Sequence, residues 1–112
     1  MIIHLFNSSS VCGPERLVIP ALSQSQTSCV IVNLREERIG RLRDSDPLQE
    51  YAQSFHLPYR TVDVKGRWDR RAMDELHRVL RQLRPDLVHA HAIKASVYLQ
   101  RARGRARENR TR

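Results

Sequence analysis

Cys29-Val30-Ile31-Val32-Asn33-Leu34 is the stretch on which the fold depends. It is rich in β-branched residues and apolar at odd and even positions alike, the pattern of a strand buried on both faces, and such strands belong to parallel sheets covered by helices on both sides. Upstream, Ile2–Phe6 is a short apolar run ended by the polar, Gly-containing turn Asn7–Gly13, so it reads as a strand leaving a core. Between the two runs, Pro14-Glu15-Arg16-Leu17-Val18-Ile19 has the marks of a helix start, with proline in the first turn and an acid facing the positive end of the helix dipole. Pro20 lacks the N–H that the next turn needs and crowds the preceding one, which predicts a short or kinked helix ending near Ser23.

Downstream the alternation continues. Glu36–Asp46 is a charged loop, and Pro47–Phe55 sets Leu48, Tyr51, Ala52 and Phe55 at three- and four-residue spacing, a short amphipathic helix that Leu57-Pro58 ends. Tyr59–Val64 is a third strand, with Lys65-Gly66 as its exit. The longest helix runs from about Asp69, a suitable N-cap, to Arg84 before Pro85, with Ala72, Met73, Leu76, Val79, Leu80 and Leu83 as its apolar stripe. Asp86–His91 is a fourth strand and Ile93–Ala102 a fourth helix. Strands and helices alternating with short connections imply right-handed crossovers, hence an α/β, Rossmann-like open parallel sheet of about four strands with flanking helices. Residues 1–100 form this domain, and 101–112 an Arg-rich, disordered or frayed tail.

The chain has 112 residues, enough for one small domain that folds without disulfide or metal staples. At 40% apolar and 29% charged it is neither wholly disordered nor membrane-spanning. Met1–Phe6 has no basic n-region, so it reads as a strand rather than a secretion signal, and the expected location is the cytoplasm, with peripheral attachment at the inner membrane face compatible with it. Cys12 and Cys29 have no CxxC spacing and are expected as reduced thiols, which removes disulfide and zinc frameworks. The net charge of +8 divides unevenly: residues 101–112 carry six arginines and one glutamate, +5, leaving +3 for residues 1–100.

In an open parallel sheet, ligands bind at the carboxyl ends of the strands, where loops and helix N-termini converge. Four loops qualify: Asn7–Glu15, Leu34–Asp46, Val64–Asp69 and His91–Lys94. In the first, free backbone N–H groups at a helix start attract anions, and Gly13 lets a phosphate or sugar hydroxyl approach the main chain. Neither G-x-G-x-x-G nor G-x-x-x-x-G-K-[ST] is present. A plain Ser/Gly turn joining strand to helix is the structural alternative. His89-Ala90-His91 sits where the fourth strand leaves the sheet, and two residues apart both imidazoles point to one side, so His91 can share a proton with a sugar hydroxyl or orient it. The structural alternative has His89 packed and His91 facing solvent. A metal needs at least one ligand more than this pair, and no motif positions another His or Cys, so no metal or other cofactor is expected. Lys94 lies in the first turn of the last helix, within reach of an anionic ligand; His4, His56 and His77 read as structural, and Trp68 as a packing residue.

Two blocks combine these features: Ile2-Ile3-His4-Leu5-Phe6-Asn7-Ser8-Ser9-Ser10 followed by Gly13-Pro14-Glu15-Arg16, and Leu83-Arg84-Pro85-Asp86-Leu87-Val88-His89-Ala90-His91-Ala92-Ile93-Lys94-Ala95. Together they resemble the N-terminal domain of family 4-like glycosyltransferases over about residues 1–100. The usual second block there is Arg-Pro-Asp-hydrophobic-hydrophobic-His-x-His-Gly-x-Lys-Ala. The resemblance implies a GT-B arrangement of two Rossmann-like domains, of which this chain is a partial N-terminal one, and sugar transfer from a nucleotide-sugar donor with retention of configuration. It implies that the acceptor lies mainly on this domain and the donor nucleotide on a C-terminal domain with a paired-glutamate motif. His91 would then contact the transferred sugar as the catalytic residue, and Gly13, with Glu15, Lys94 and His89, would serve donor phosphate or sugar binding.

Cys12 stands where that family has the first Gly of a pair, Ala92 where it has Gly, and Pro20 interrupts a normally continuous helix. The chain also stops after its fourth helix, where the family continues into the donor domain. The expected partners are therefore a nucleotide-sugar, an acceptor, a C-terminal glycosyltransferase domain encoded elsewhere, and further copies of the chain at an open sheet edge, the fourth strand lying beside the first. A truncated or frame-shifted gene end would account for the Arg-rich tail, and the chain alone is expected to be inactive. Two other readings stand beside this one: a nucleic-acid-binding module using the tail's arginines, which no aromatic residue or binding motif accompanies, and a non-catalytic remnant.

Overall fold

The computed structural model describes residues 1–8, 11, 13–37, 46–66 and 68–111, and of residues 37 and 103–111 the backbone alone. The Cys12 thiol, most of the charged loop before Asp46 and the side chains of the Arg-rich tail lie outside the described residues.

Eight elements alternate as the sequence predicts. Ile2–Phe6 forms β1, Gly13–Gln24 α1, Cys29–Glu37 β2 and Pro47–Ser54 α2. Tyr59–Lys65 forms β3, Arg70–Leu83 α3, Leu87–Ala90 β4 and Ile93–Thr111 α4. All strand pairs are parallel, in the order β3-β2-β1-β4. This is an α/β, Rossmann-like open sheet with helices on both faces.

Strand alternation sorts the core into two layers. Ile3, Leu5, Val32, Leu34, Val62 and Val64 pack on one side against the stripes of α3 and α4, including Met73, Leu76, Tyr98 and Leu99. On the other side Phe6 and Ile31 meet Ile19 of α1 and Leu48 and Ala52 of α2. Each fully buried Leu, Ile or Phe contributes about 1.5–3 kcal/mol of transfer free energy, so the two-sided strands β1 and β2 carry much of the hydrophobic stabilisation.

Several boundaries differ from the sequence reading. α1 is not among them: it ends at Gln24, next to the expected Ser23, with Pro20 inside it and the Ser23 hydroxyl donating to the Pro20 carbonyl at 2.7 Å. The carbonyl of Arg16, which Pro20 leaves without its usual donor, belongs to an exposed residue. β2 extends to Glu37 because β3 pairs with it as far as Lys65. β4 is shorter than expected, but the His91 N–H still donates to the Leu5 carbonyl at 2.9 Å, one step beyond the strand. The helical backbone of α4 passes Ala102, where the sequence reading ends it, and continues to Thr111; arginine and alanine are strong helix formers. No helix among the described residues is long and apolar enough to cross a membrane.

Candidate functional site

Because every strand is parallel, all carboxyl ends share one rim. β1 leaves it at Phe6, and a strap of hydrogen bonds then pins the chain onto β2. The Asn7 amide donates to the Leu34 carbonyl at 2.8 Å, the Ser8 N–H donates to Asn33 Oδ1 at 2.9 Å, and Asn33 Nδ2 donates back to the Ser8 carbonyl at 2.9 Å. Asn33 is fully buried, so these two bonds satisfy an amide that would otherwise be costly inside the sheet. The Ser8 hydroxyl donates to the carboxylate of Glu15, which is buried in the first turn of α1. Gly13 opens that helix, exposed, and a Cβ built on it would meet nothing within 4 Å.

The second half of the site comes from β4. Leu87, His89 and His91 alternate with Val88 and Ala90, which face the α3/α4 layer, so both imidazoles turn to the α1 side. The β1–β4 register sets His4 directly opposite His89, and His4 shares that side. Three imidazoles therefore meet. His4 Nδ1 and His91 Nε2 are 2.9 Å apart, the His89 and His91 rings stack with centroids 4.1 Å apart, and the His91 ring lies 4.4 Å from that of Phe6 at an interplanar angle of 9°.

Burial and mutual repulsion set the charge of this cluster. Desolvation first, then the nearby His89 and His4, press the His91 pKa from 6.5 down to about 4, against a smaller opposing pull from Glu15. His4 is lowered for the same two reasons, burial first and His89 second. At neutral pH His4 and His91 are neutral imidazoles, able to donate through one nitrogen and accept through the other but carrying no charge for a phosphate. His91 borders an open depression of about 530 Å³ that Ala92, Ile93, Ser96 and Val97 also line.

The expected site residues are thus divided. Glu15, in the first turn of the helix that Gly13 opens, lies close enough for its charge to influence His91, and the His89 ring stacks on that of His91. Lys94 does not join them. Its ammonium pairs with Glu36, reaches the Gly66 carbonyl at 3.5 Å and stands 5.9 Å from the Tyr98 ring centroid, all on the α3/α4 side. The burial of the histidine pair is the reverse of the structural alternative: His89 is exposed at the sheet edge and His91 is half-buried.

Two residues of the site escape a motif search. His4 stands alone in its strand and acquires meaning only through the β1–β4 register, although strand adjacency and period-two alternation together contain the signal. Asn33, a polar residue inside the most apolar run of the chain, is marked by that incongruity alone. No family model, curated protein or solved structure matches the chain.

Proposed function

We propose that this domain is the acceptor-side half of a retaining glycosyltransferase that takes its donor from a nucleotide-sugar. The observation that carries the reading is the meeting, on one rim, of the Gly13–Glu15 helix start with the half-buried imidazole of His91. A helix start offers N–H groups to an anion, and the space around Gly13 lets a diphosphate come close to them. The neutral His91 imidazole suits a group that hydrogen-bonds the transferred sugar or shares a proton with it, and its own N–H to Leu5 fixes the backbone that carries it. Glu15, held by Ser8, and exposed His89 complete the donor side, while Lys94 joins only if it leaves Glu36.

The partner in this reading is a nucleotide-binding domain that closes over the rim, with the acceptor hydroxyl entering beside His91. The domain works in the cytoplasm, and the six arginines of residues 101–112 suit it to an anionic inner-membrane face. The test is release of nucleotide from nucleotide-sugars by the chain mixed with separately expressed nucleotide-binding halves. Release that falls by roughly 10²–10⁴-fold in His91→Ala supports the reading. Absence of release with every pairing, or release indifferent to His91, overturns it.

A further inference from the structure

We propose that His4, His89 and His91 form a three-imidazole site for a borderline divalent cation, with Zn²⁺ foremost and a fourth coordination position left open. The juxtaposition is geometric: one ligand atom from each ring lies within 4.8 Å of the other two. Four-coordinate zinc with nitrogens at about 2.0–2.1 Å needs those nitrogens about 3.3 Å apart. His4 and His91 are already at 2.9 Å and no ligand atom is more than 4.8 Å from another, so coordination asks for side-chain adjustments of about 1–2 Å.

The framework favours such a site. His89 on β4 and His91, one step beyond it with its N–H still bonded to the Leu5 carbonyl, stack side by side, and His4 projects from the adjoining strand opposite His89, so two ligands come from paired strands and the third from backbone tied to one of them. Rigid elements hold ligands more accurately than loops do. The donor set is all imidazole, which selects zinc, copper, nickel or cobalt over magnesium or calcium, since the latter require oxygen ligands. Three protein ligands and an open position are the arrangement of zinc sites that bind and polarise a further ligand. Access is available because β4 is an edge strand and His89 is exposed on it.

The inference goes beyond the sugar-transfer reading and does not rest on it. The experiment uses the untagged chain titrated with Co²⁺ alone at neutral pH, read by visible ligand-field absorption, and then with Zn²⁺ to displace it. Expected are saturation at one equivalent, the intense bands of four-coordinate cobalt, and their loss on adding zinc. His89→Gln, at an exposed position that leaves the core intact, weakens binding at least ten-fold, as does His4→Gln; His56→Gln and His77→Gln leave it unchanged. Absence of bands, or binding indifferent to His89→Gln, overturns the site. Because His91 serves both readings, the nucleotide-release test is run on chain freed of metal with a chelator, so failure of one reading is distinguishable from failure of the other.

Discussion

At His91 the folded chain holds an imidazole in its neutral form by removing it from water and placing other imidazoles beside it. Its folded pKa of about 4 lies below the ordinary 6.5, so the associated stability is present above pH 6.5 and is lost as pH falls from there towards 4. The cation-free chain is therefore expected to unfold more easily at pH 4.5 than at pH 7. Replacing His91 with Gln removes on the order of 1 kcal/mol of that pH dependence, a figure reduced for the ring's partial exposure. Thermal melts of the two proteins across this range check it, and parallel pH profiles contradict it. Position along a strand made His91 and Gly13 legible, since a histidine just beyond an apolar run and a glycine at a helix start both fall at the carboxyl rim. The direction of Lys94 is not legible in the same way, because it depends on the rotation of α4, which Ala95, Tyr98 and Leu99 fix by burying their own face. His4 is not legible as a site residue because a single residue does not disclose which residue stands opposite it.

Among the elements, the two aspartate caps show how much local chemistry the sequence carries. Asp69 accepts from the N–H groups of Arg71 and Ala72 and, through its other oxygen, from Lys65 N–H at 2.9 Å, so one carboxylate joins the start of α3 to the end of β3. Its role was legible, an Asp directly before an amphipathic run. The run of charges places Asp46 at the end of a charged loop, although Asp followed by Pro is the signature of a helix start. It caps α2 by accepting from Leu48 and Gln49, and it also accepts a hydrogen bond from the Tyr59 hydroxyl at 2.5 Å. That second duty was invisible in sequence because it crosses to another element. Burial first, then the Asp46 carboxylate, drives the Tyr59 pKa far above its usual value, which keeps the phenol a donor. Asp46→Ala thus removes a cap and leaves a half-buried hydroxyl without its acceptor, and is expected to cost about 2–3 kcal/mol. Asp69→Ala, more exposed, costs about 1 kcal/mol. Urea unfolding of both variants tests the order, and a larger loss in Asp69→Ala contradicts it.

For the molecule as a whole, the order of elements was enough to specify a parallel open sheet, because short connections between alternating strands and helices leave few other arrangements. Its least protected part is β4, whose outer edge pairs with no other described strand and is flanked by Leu87, 55% exposed, and Ile93, 87% exposed. Free edge groups beside apolar side chains invite pairing with another chain. The melting temperature is accordingly expected to rise with protein concentration, and Leu87→Lys to reduce association while the fold is kept. A sharp transition independent of concentration contradicts this. The proposed site at the rim would have the helix start at Gly13 and the imidazole of His91 take one ligand between them. It is tested most directly by ¹H–¹⁵N NMR of the chain titrated with UDP-, GDP- and ADP-sugars at millimolar concentration. The expected result is a set of shifts confined to Gly13, Glu15, His89, His91 and their neighbours, weakened in Gly13→Ala, a variant the empty space around Gly13 allows to fold normally. Shifts absent for every donor, or confined to residues 101–112, contradict it.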